Sequence, residues 1–296
     1  MEVLLSVVTI TYNHAPYIAK CIEGVLMQQV NFPMEFIIAE DCSTDDTRTV
    51  CEEYAERCPE LIRLLPSERN LGTVDNERRA IAAAKGKYVA VCEGDDYWTD
   101  PLKLQRQVNF LESHPDYSVC FHRYRKHFEV DNHIEDVDTD LFADGGESRE
   151  LSMYDAMHRW QTQYLSMVFR RECYDLDLPD HYQYFRDTHQ IYHLMLRGRC
   201  QLFSFYGGVY NVTGTGIYSD MDALRQEQMT LYVDQELWKV NNDCRWKEMC
   251  AIVMQDMIDR FSSTVENRRL LMNYAWRVFC HNHRVKKLAK NIIRIL

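Results

Sequence analysis

No two cysteines in this chain stand as a CxxC pair, although there are 11 of them, scattered from Cys21 to Cys280. Zinc ribbons and dithiol redox motifs are therefore disfavoured, and reduced, buried thiols fit best. Phosphate-binding signatures are missing too. No GxGxxG follows the first apolar run, and GxxxxGK[ST] does not occur. That argues against dinucleotide dehydrogenases and P-loop ATPases. HExxH is absent, as is the ligand spacing of an EF-hand. Basic residues are outnumbered, with 34 Lys and Arg against 45 Asp and Glu and a net charge of −11. Such a chain is a poor nucleic-acid binder, because backbone phosphates demand clustered Lys and Arg. No apolar run reaches the length of a membrane span, and Val3 to Ile10 is too short for a secretory signal. A cytoplasmic protein is expected.

What is present is a strongly hydrophobic chain, 46% apolar over 296 residues, enough for one large or two smaller domains. The first part alternates. "VLLSVVTI" reads as a buried parallel strand, and Ile18, Cys21, Ile22 and Val25 follow at helical spacing. "MEFIIAEDCSTDDT" repeats the format, with a Ser/Thr/Asp cluster suited to capping a helix from about Arg48 to Cys58. "LIRLLP" is a third strand, "NLGTVDNERRAIAAAKG" a loop and helix, and "KYVAVCE" a fourth strand. Strand and helix in alternation imply a Rossmann-like, mainly parallel α/β sheet with helices on both faces. Ligands then sit beyond the carboxyl ends of the strands. Thr11-Tyr12-Asn13, Glu40-Asp41 and Glu93-Asp95-Asp96 all lie at such ends.

Further on, "YSVCFHRYRKHFEV", "YLSMVFRRECY" and "CQLFSFYGGVYNV" read as strands, residues 131–150 as a polar loop, and "DTHQIYHLMLRG" as a helix. From about Ala223 the chain reads as helical. The expected division is a domain over 1–222, with halves at about 1–112 and 113–222, and a helical extension over 223–296.

Glu93, Asp95 and Asp96 put three carboxylates within four residues. Like charges so close need an offset. Hard oxygen ligands on a loop suit Mg²⁺ or Mn²⁺ together with substrate phosphates; the alternative is a solvated turn. Glu40-Asp41 fits a helix cap as well as a ligand contact. Trp98 is either core or a stacking platform for a sugar ring. His189 and His193 are four apart, but no third ligand pattern accompanies them.

The ordered set "SVVTITYNHAPYIAKCIEGVLMQ", "FIIAEDCSTDDT", "NLGT" and "AKGKYVAVCEGDDYW" resembles the family 2 glycosyltransferases, of the kind found in bacterial surface-polysaccharide biosynthesis. The resemblance covers residues 4–111 and extends toward Thr213. It implies the GT-A fold, a nucleotide-sugar donor, commonly a UDP-sugar, and a divalent metal, Mg²⁺ or Mn²⁺. Tyr12, beside Thr11, matches the residue near the uracil ring, and Asp41 with Glu40 the acid that meets the base. Asp95 and Asp96 match the acids that meet the ribose and the metal, with Glu93 in place of the first acid of a DxDD pattern. The usual Asp-Asp-Gly-Ser reads Glu40-Asp41-Cys42-Ser43. Asn76 and Arg79 stand nearest to the family's Ala-Arg-Asn donor contacts. The resemblance also implies a carboxylate base just before a helix, matched by Asp187 with Asp180 as runner-up; an acid there would also cap the helix. Trp98 would serve the acceptor. Where relatives read Tyr-Arg-x-His, this chain reads Tyr210-Asn211-Val212-Thr213.

An inverting transferase acting on a glycan or lipid-linked acceptor follows from that resemblance. A degenerate, non-catalytic nucleotide-sugar-binding or scaffold protein of the same fold is the alternative. A nucleotidyltransferase would want a Gly-rich, basic loop after strand one, and "TYNHAPY" supplies neither. Finally, "HRVKKLAKNIIRIL" places Val285, Leu288, Ala289, Ile292, Ile293 and Leu296 on one helical face and five basic residues elsewhere. A basic amphipathic helix over 284–296 suits an anionic membrane surface, or docking on the body of the protein.

Overall fold

The computed structural model describes residues 2–137, 140–159, 162–214, 221–262, 268–283 and 285–295. They form two compact units: residues up to Pro179 with Arg186–Thr213, and Asp180–Phe185 with the chain from Gly214 onward. Where the sequence suggested a break after residue 222, the units divide at Thr213.

The first unit opens with β1 (Leu5–Thr11), α1 (Ile18–Leu26), β2 (Met34–Glu40), α2 (Thr47–Arg57), β3 (Ile62–Pro66), α3 (Thr73–Ala83) and β4 (Tyr88–Val91). Then come β5 (Tyr97–Trp98), α4 (Lys103–Ser113), β6 (Tyr117–Phe128), β7 (His133–Asp136), β8 (Ser148–Glu150), α5 (Met153–Arg159), β9 (Val168–Arg170), α6 (Asp187–Arg197) and β10 (Arg199–Val212). The strand order is β3-β2-β1-β4-β9-β6-β10-β5, with β7 on β6 and β8 on β10. β1 is buried at every position, as a strand covered on both faces must be. Its alternate residues feed two cores. Leu5 and Val7 pack with Ile18, Ile22 and Val25 of α1, while Val8 and Ile10 pack with Ala80 and Ile81 of α3 and Ile191 and Leu194 of α6.

Two expectations are corrected. Residues 131–150 are not one loop, since β7 and β8 add antiparallel strands to β6 and β10. The stretch from Tyr164 to Tyr174 is a strand only over Val168–Arg170, flanked by 3-10 turns, and it runs antiparallel between β4 and β6. Tyr97 and Trp98 form a short strand on β10.

The second unit carries α7 (Ala223–Asn241), α8 (Cys244–Phe261), α9 (Arg268–Asn282) and α10 (Val285–Ile295). Asp222 and Asp243 cap α7 and α8 by accepting from Arg225 N–H and Arg245 N–H. Met257, Ile258, Leu271, Ala275 and Ile295 fill its core. α10 packs through Leu288, Asn291 and Ile295, so only part of the expected apolar face is turned to this core. Ile295 and Asn291 are buried, whereas Ile293 is 76% exposed. Asn291 pairs with Gln255 at 2.9 and 3.1 Å, and Arg294 pairs with Asp259. Arg284 and Leu296 lie outside the described residues. Among the described residues, no helix is long and apolar enough to cross a membrane.

Candidate active site

Three adjacent strand ends build one rim. β2, β1 and β4 lie side by side and parallel, so their carboxyl ends meet, with Thr11 opposite Glu40. Beyond β1 the backbone turns at Asn13, whose φ of 55° is in the left-handed region that Asn tolerates. Its N–H donates to Ser43 Oγ at 3.0 Å and its Oδ1 accepts Thr44 N–H at 2.8 Å, which stitches the loops after β1 and β2 together. Tyr12 projects from this turn, 40% exposed. The loop after β4 also lies against β1, with Cys92 N–H donating to Val8 O and Gly94 N–H to Ile10 O, both at 3.0 Å. A Cβ on Gly94 would stand 2.6 Å from Thr11 Oγ1 and 2.9 Å from His14 Nδ1, so only glycine lets the acidic loop sit flush there.

On the β2 side the acids are fully engaged. Buried Glu40 accepts Arg48 Nε–H at 2.5 Å and Ser43 N–H at 2.6 Å. Asp41 accepts Leu71 N–H and Gly72 N–H, one on each oxygen at 2.9 Å, and so fixes the "NLGT" loop at the start of α3. Asn76 is buried, donates to Ala39 O at 2.9 Å and accepts Arg79 Nε–H at 2.8 Å. Arg79 also donates to Glu40 O at 2.9 Å and Pro66 O at 3.3 Å. Glu40, Asn76 and Arg79 thus close the ends of β2 and β3. Their polar atoms are engaged with the scaffold. Trp98 is likewise core rather than platform. It is 2% exposed, donates its indole N–H to Leu165 O at 2.7 Å, and lies 3.6 Å beneath the Lys103 ammonium.

The loop after β4 is the reverse. Buried Asp96 accepts Asn211 N–H at 2.9 Å on Oδ1, but its Oδ2 has no hydrogen-bond partner among the described residues. Thr11 Oγ1 is also buried without one. Burial, then the charges of Asp95 and Glu93, raise the Asp96 carboxyl well above its ordinary range. Burial also raises Glu93, followed by the charges of Asp95, Asp187 and Glu77. Asp95 is half-buried, with His14 Nε2 at 4.0 Å. An uncompensated group of buried carboxyls calls for a cation. Among the described residues no three His, Cys, Asp or Glu side chains are grouped to hold a metal ion alone. One or two carboxylates completed by phosphate oxygens is the usual Mg²⁺ arrangement, and the unpartnered Asp96 oxygen beside Asp95 fits it.

Asp187 opens α6, with Arg186 rather than Asp187 as the N-cap. Its carboxyl is half-buried, and burial raises it while Arg186 opposes the rise. His189 closes the same turn by accepting Arg186 N–H on Nδ1 at 3.1 Å, and so serves the cap of α6. Asp180 belongs to the second unit.

What two residues do at this loop was not legible in the sequence. Asn211 pins the acidic loop through its N–H to Asp96 and its side-chain amide to Asp95 O. It stands where relatives carry the Arg of Tyr-Arg-x-His, which was the available signal. Glu77, whose charge adds to the rise of Glu93, lies in the charged stretch "DNERRA".

A family model described as glycosyl transferase family 2 matches residues 6–175. An uncharacterized protein of Mycobacterium tuberculosis is 42% identical over 176 residues, 59% of this chain and 49% of the relative. The chain thus spans about half the length of that relative. The Bacillus subtilis glycosyltransferase TuaG, named for teichuronic acid biosynthesis, is 38% identical over 108 residues, 36% of this chain and 42% of its own. Among solved structures, Staphylococcus aureus TarS in complex with UDP-GlcNAc superposes with a TM-score of 0.67 at 18% identity, covering 99% of this chain and 89% of that one. The mannosyltransferase PcManGT of Pyrobaculum calidifontis, in complex with GDP-Man and Mn²⁺, gives 0.55 at 15% identity, covering 100% and 86%.

Proposed function

The chain belongs to glycosyl transferase family 2 and has its GT-A fold, and from that premise we propose an inverting transfer of a sugar from a UDP-sugar to a hydroxyl of a glycan or lipid-linked acceptor. The observation that carries the reading is the unpartnered, buried Asp96 Oδ2 beside Asp95 at the joined ends of β1 and β4. Asp95 and Asp96 would hold Mg²⁺ or Mn²⁺, with Glu93 adding charge behind them. When bound, such an ion stabilises the negative charge on a departing diphosphate. Tyr12 offers its exposed ring to the base, and Asp41 fixes the loop that borders it. Asp187 takes the proton of the acceptor hydroxyl. The freed oxygen forms its bond to the anomeric carbon from the face opposite the diphosphate, as the sugar–phosphate bond breaks. A carboxyl raised above its ordinary range is a better base than an exposed one. We further propose a cytoplasmic location, with exposed Ile293 and Lys290 of α10 available to an anionic membrane.

The test is thermal shift with UDP and GDP, with and without Mn²⁺, on wild type and Asp96→Asn. Ligands that bind only the folded state raise the Tm. A Mn²⁺-dependent shift lost in the variant supports the site and names the nucleotide. No shift with either nucleotide favours the non-catalytic scaffold, a reading that Asn211 at the family's Arg position keeps in play.

A further inference from the structure

The loop that bears Asp95 and Asp96 is held by hydrogen bonds that begin on β6. β6 and β10 run parallel, and β10 bulges between Phe203 and Gly208 so that the register ends with Asn211 opposite His127. His127 is half-buried, and its Nδ1 lies 2.9 Å from Asn211 Oδ1. Asn211 is buried and reaches the acidic loop twice, with its N–H on Asp96 Oδ1 at 2.9 Å and its side-chain amide on Asp95 O.

The proton positions in this chain of bonds follow from its far end. Asp95 O is a backbone carbonyl and can only accept, so the Asn211 side chain must present its NH₂ there. Its Oδ1 then faces His127, and an amide oxygen also only accepts. His127 Nδ1 must therefore carry a proton. Without that proton two acceptors would face each other. The Asn211 amide could relieve this only by turning end for end, which would set its oxygen against Asp95 O. One proton on His127 thus selects the amide orientation that grips the loop.

A residue that positions another must itself be held, and the end of β6 is. β7 pairs with it and places Ile134 beside His127. Asn132, in the turn between the two strands, sets its Oδ1 2.9 Å from His127 Nε2 and takes the left-handed φ of 52° that Asn tolerates. Two residues past His127, Glu129 accepts the Tyr17 O–H at 2.7 Å, so the same strand end also reaches the N-cap of α1.

We propose that His127 is a positioning residue: its Nδ1–H locks the Asn211 amide, and Asn211 in turn sets the backbone of Asp95 and the carboxyl of Asp96, with Oδ1 engaged and Oδ2 left for a ligand. The grip on the loop stands on hydrogen bonds alone. Its bearing on Mg²⁺ or Mn²⁺ rests on reading Asp95 and Asp96 as the ligands.

The test uses the full chain as wild type, His127→Asn and His127→Leu. The Asn amide can place a donor where Nδ1 stands, whereas Leu keeps bulk and has no donor. Without any ligand, amide exchange at Asp96 and Asn211 should accelerate about tenfold in His127→Leu, the worth of about one hydrogen bond, and stay near wild type in His127→Asn. With UDP present, the Mn²⁺ concentration that half-saturates the thermal shift should rise about 10–100-fold in His127→Leu and return toward wild type in His127→Asn, as for other residues that hold a metal ligand in place. Unchanged exchange in His127→Leu overturns the clamp. Equal losses in the two variants overturn it too, since the ring would then act through its packing. Accelerated exchange with Mn²⁺ affinity kept overturns the positioning of the acids. Should His127→Leu fail to fold, the wild-type ring decides: a two-bond proton–nitrogen NMR correlation that finds a proton on Nδ1 supports the clamp, and a bare Nδ1 overturns it. A wild type with no nucleotide shift at all sinks the transferase reading, while exchange and the protonation of the ring still report on the clamp.

Discussion

Two acidic patches sit on one rim and behave in opposite ways. At the end of β2, Glu40 and Asp41 are met by a guanidinium and three backbone N–H groups. At the end of β4, Asp96 has one accepting oxygen engaged and one without a partner among the described residues, with Glu93 and Asp95 pressing on it. The residue types are the same. What differs is who supplies the donors. The β2 patch is completed by the chain itself; the β4 patch is not completed by the described residues.

The sharpest break of that contrast is at the open side. Asp187→Asn should lower turnover with a UDP-sugar by about 10²–10⁴-fold, while the UDP and Mn²⁺ thermal shift survives. Equal loss of binding and turnover would move Asp187 from base to donor site. On the closed side the effect should fall on stability. Glu40→Gln leaves the Arg48 guanidinium without its carboxylate and should cost about 1–3 kcal/mol by chemical denaturation, with nucleotide binding kept. A variant as stable as wild type would mean that this pair is not scaffold. The smallest effect belongs to Cys42, which holds φ at 62° directly after Asp41. Cys42→Gly removes a left-handed strain and should stabilise by about 0.5–1 kcal/mol; a loss of stability would show that the side chain packs usefully.

Much of the first unit was legible in the sequence because its signals are local. Apolar runs of β-branched residues gave β1 to β4, and helical spacing gave α1 and α3. β9 was not legible as three residues, nor β7 and β8 as strands, because such short segments are strands only by virtue of distant partners. The site divides the same way. The places of Asp95 and Asp96 in the loop after a strand, and of Asp187 at the start of a helix, were legible. The scaffold bonds of Glu40, Asn76 and Arg79 were not legible, since the groups they meet are brought in from elsewhere. Asn211 reaches Asp96 across 115 residues, and no local pattern records that.

The antiparallel β9 has a consequence for how the chain is made. Residues 168–170 pair with both β4 and β6, so they fill the seam in the middle of the sheet. While the protein is being synthesised, β4 presents a bare strand edge until those residues leave the ribosome, long after the first four strands could have paired. Nascent chains stalled before that point expose a row of unpaired amides and carbonyls to their neighbours. The seam is therefore where crowding of unfinished chains should begin, and where a chaperone would first find something to hold.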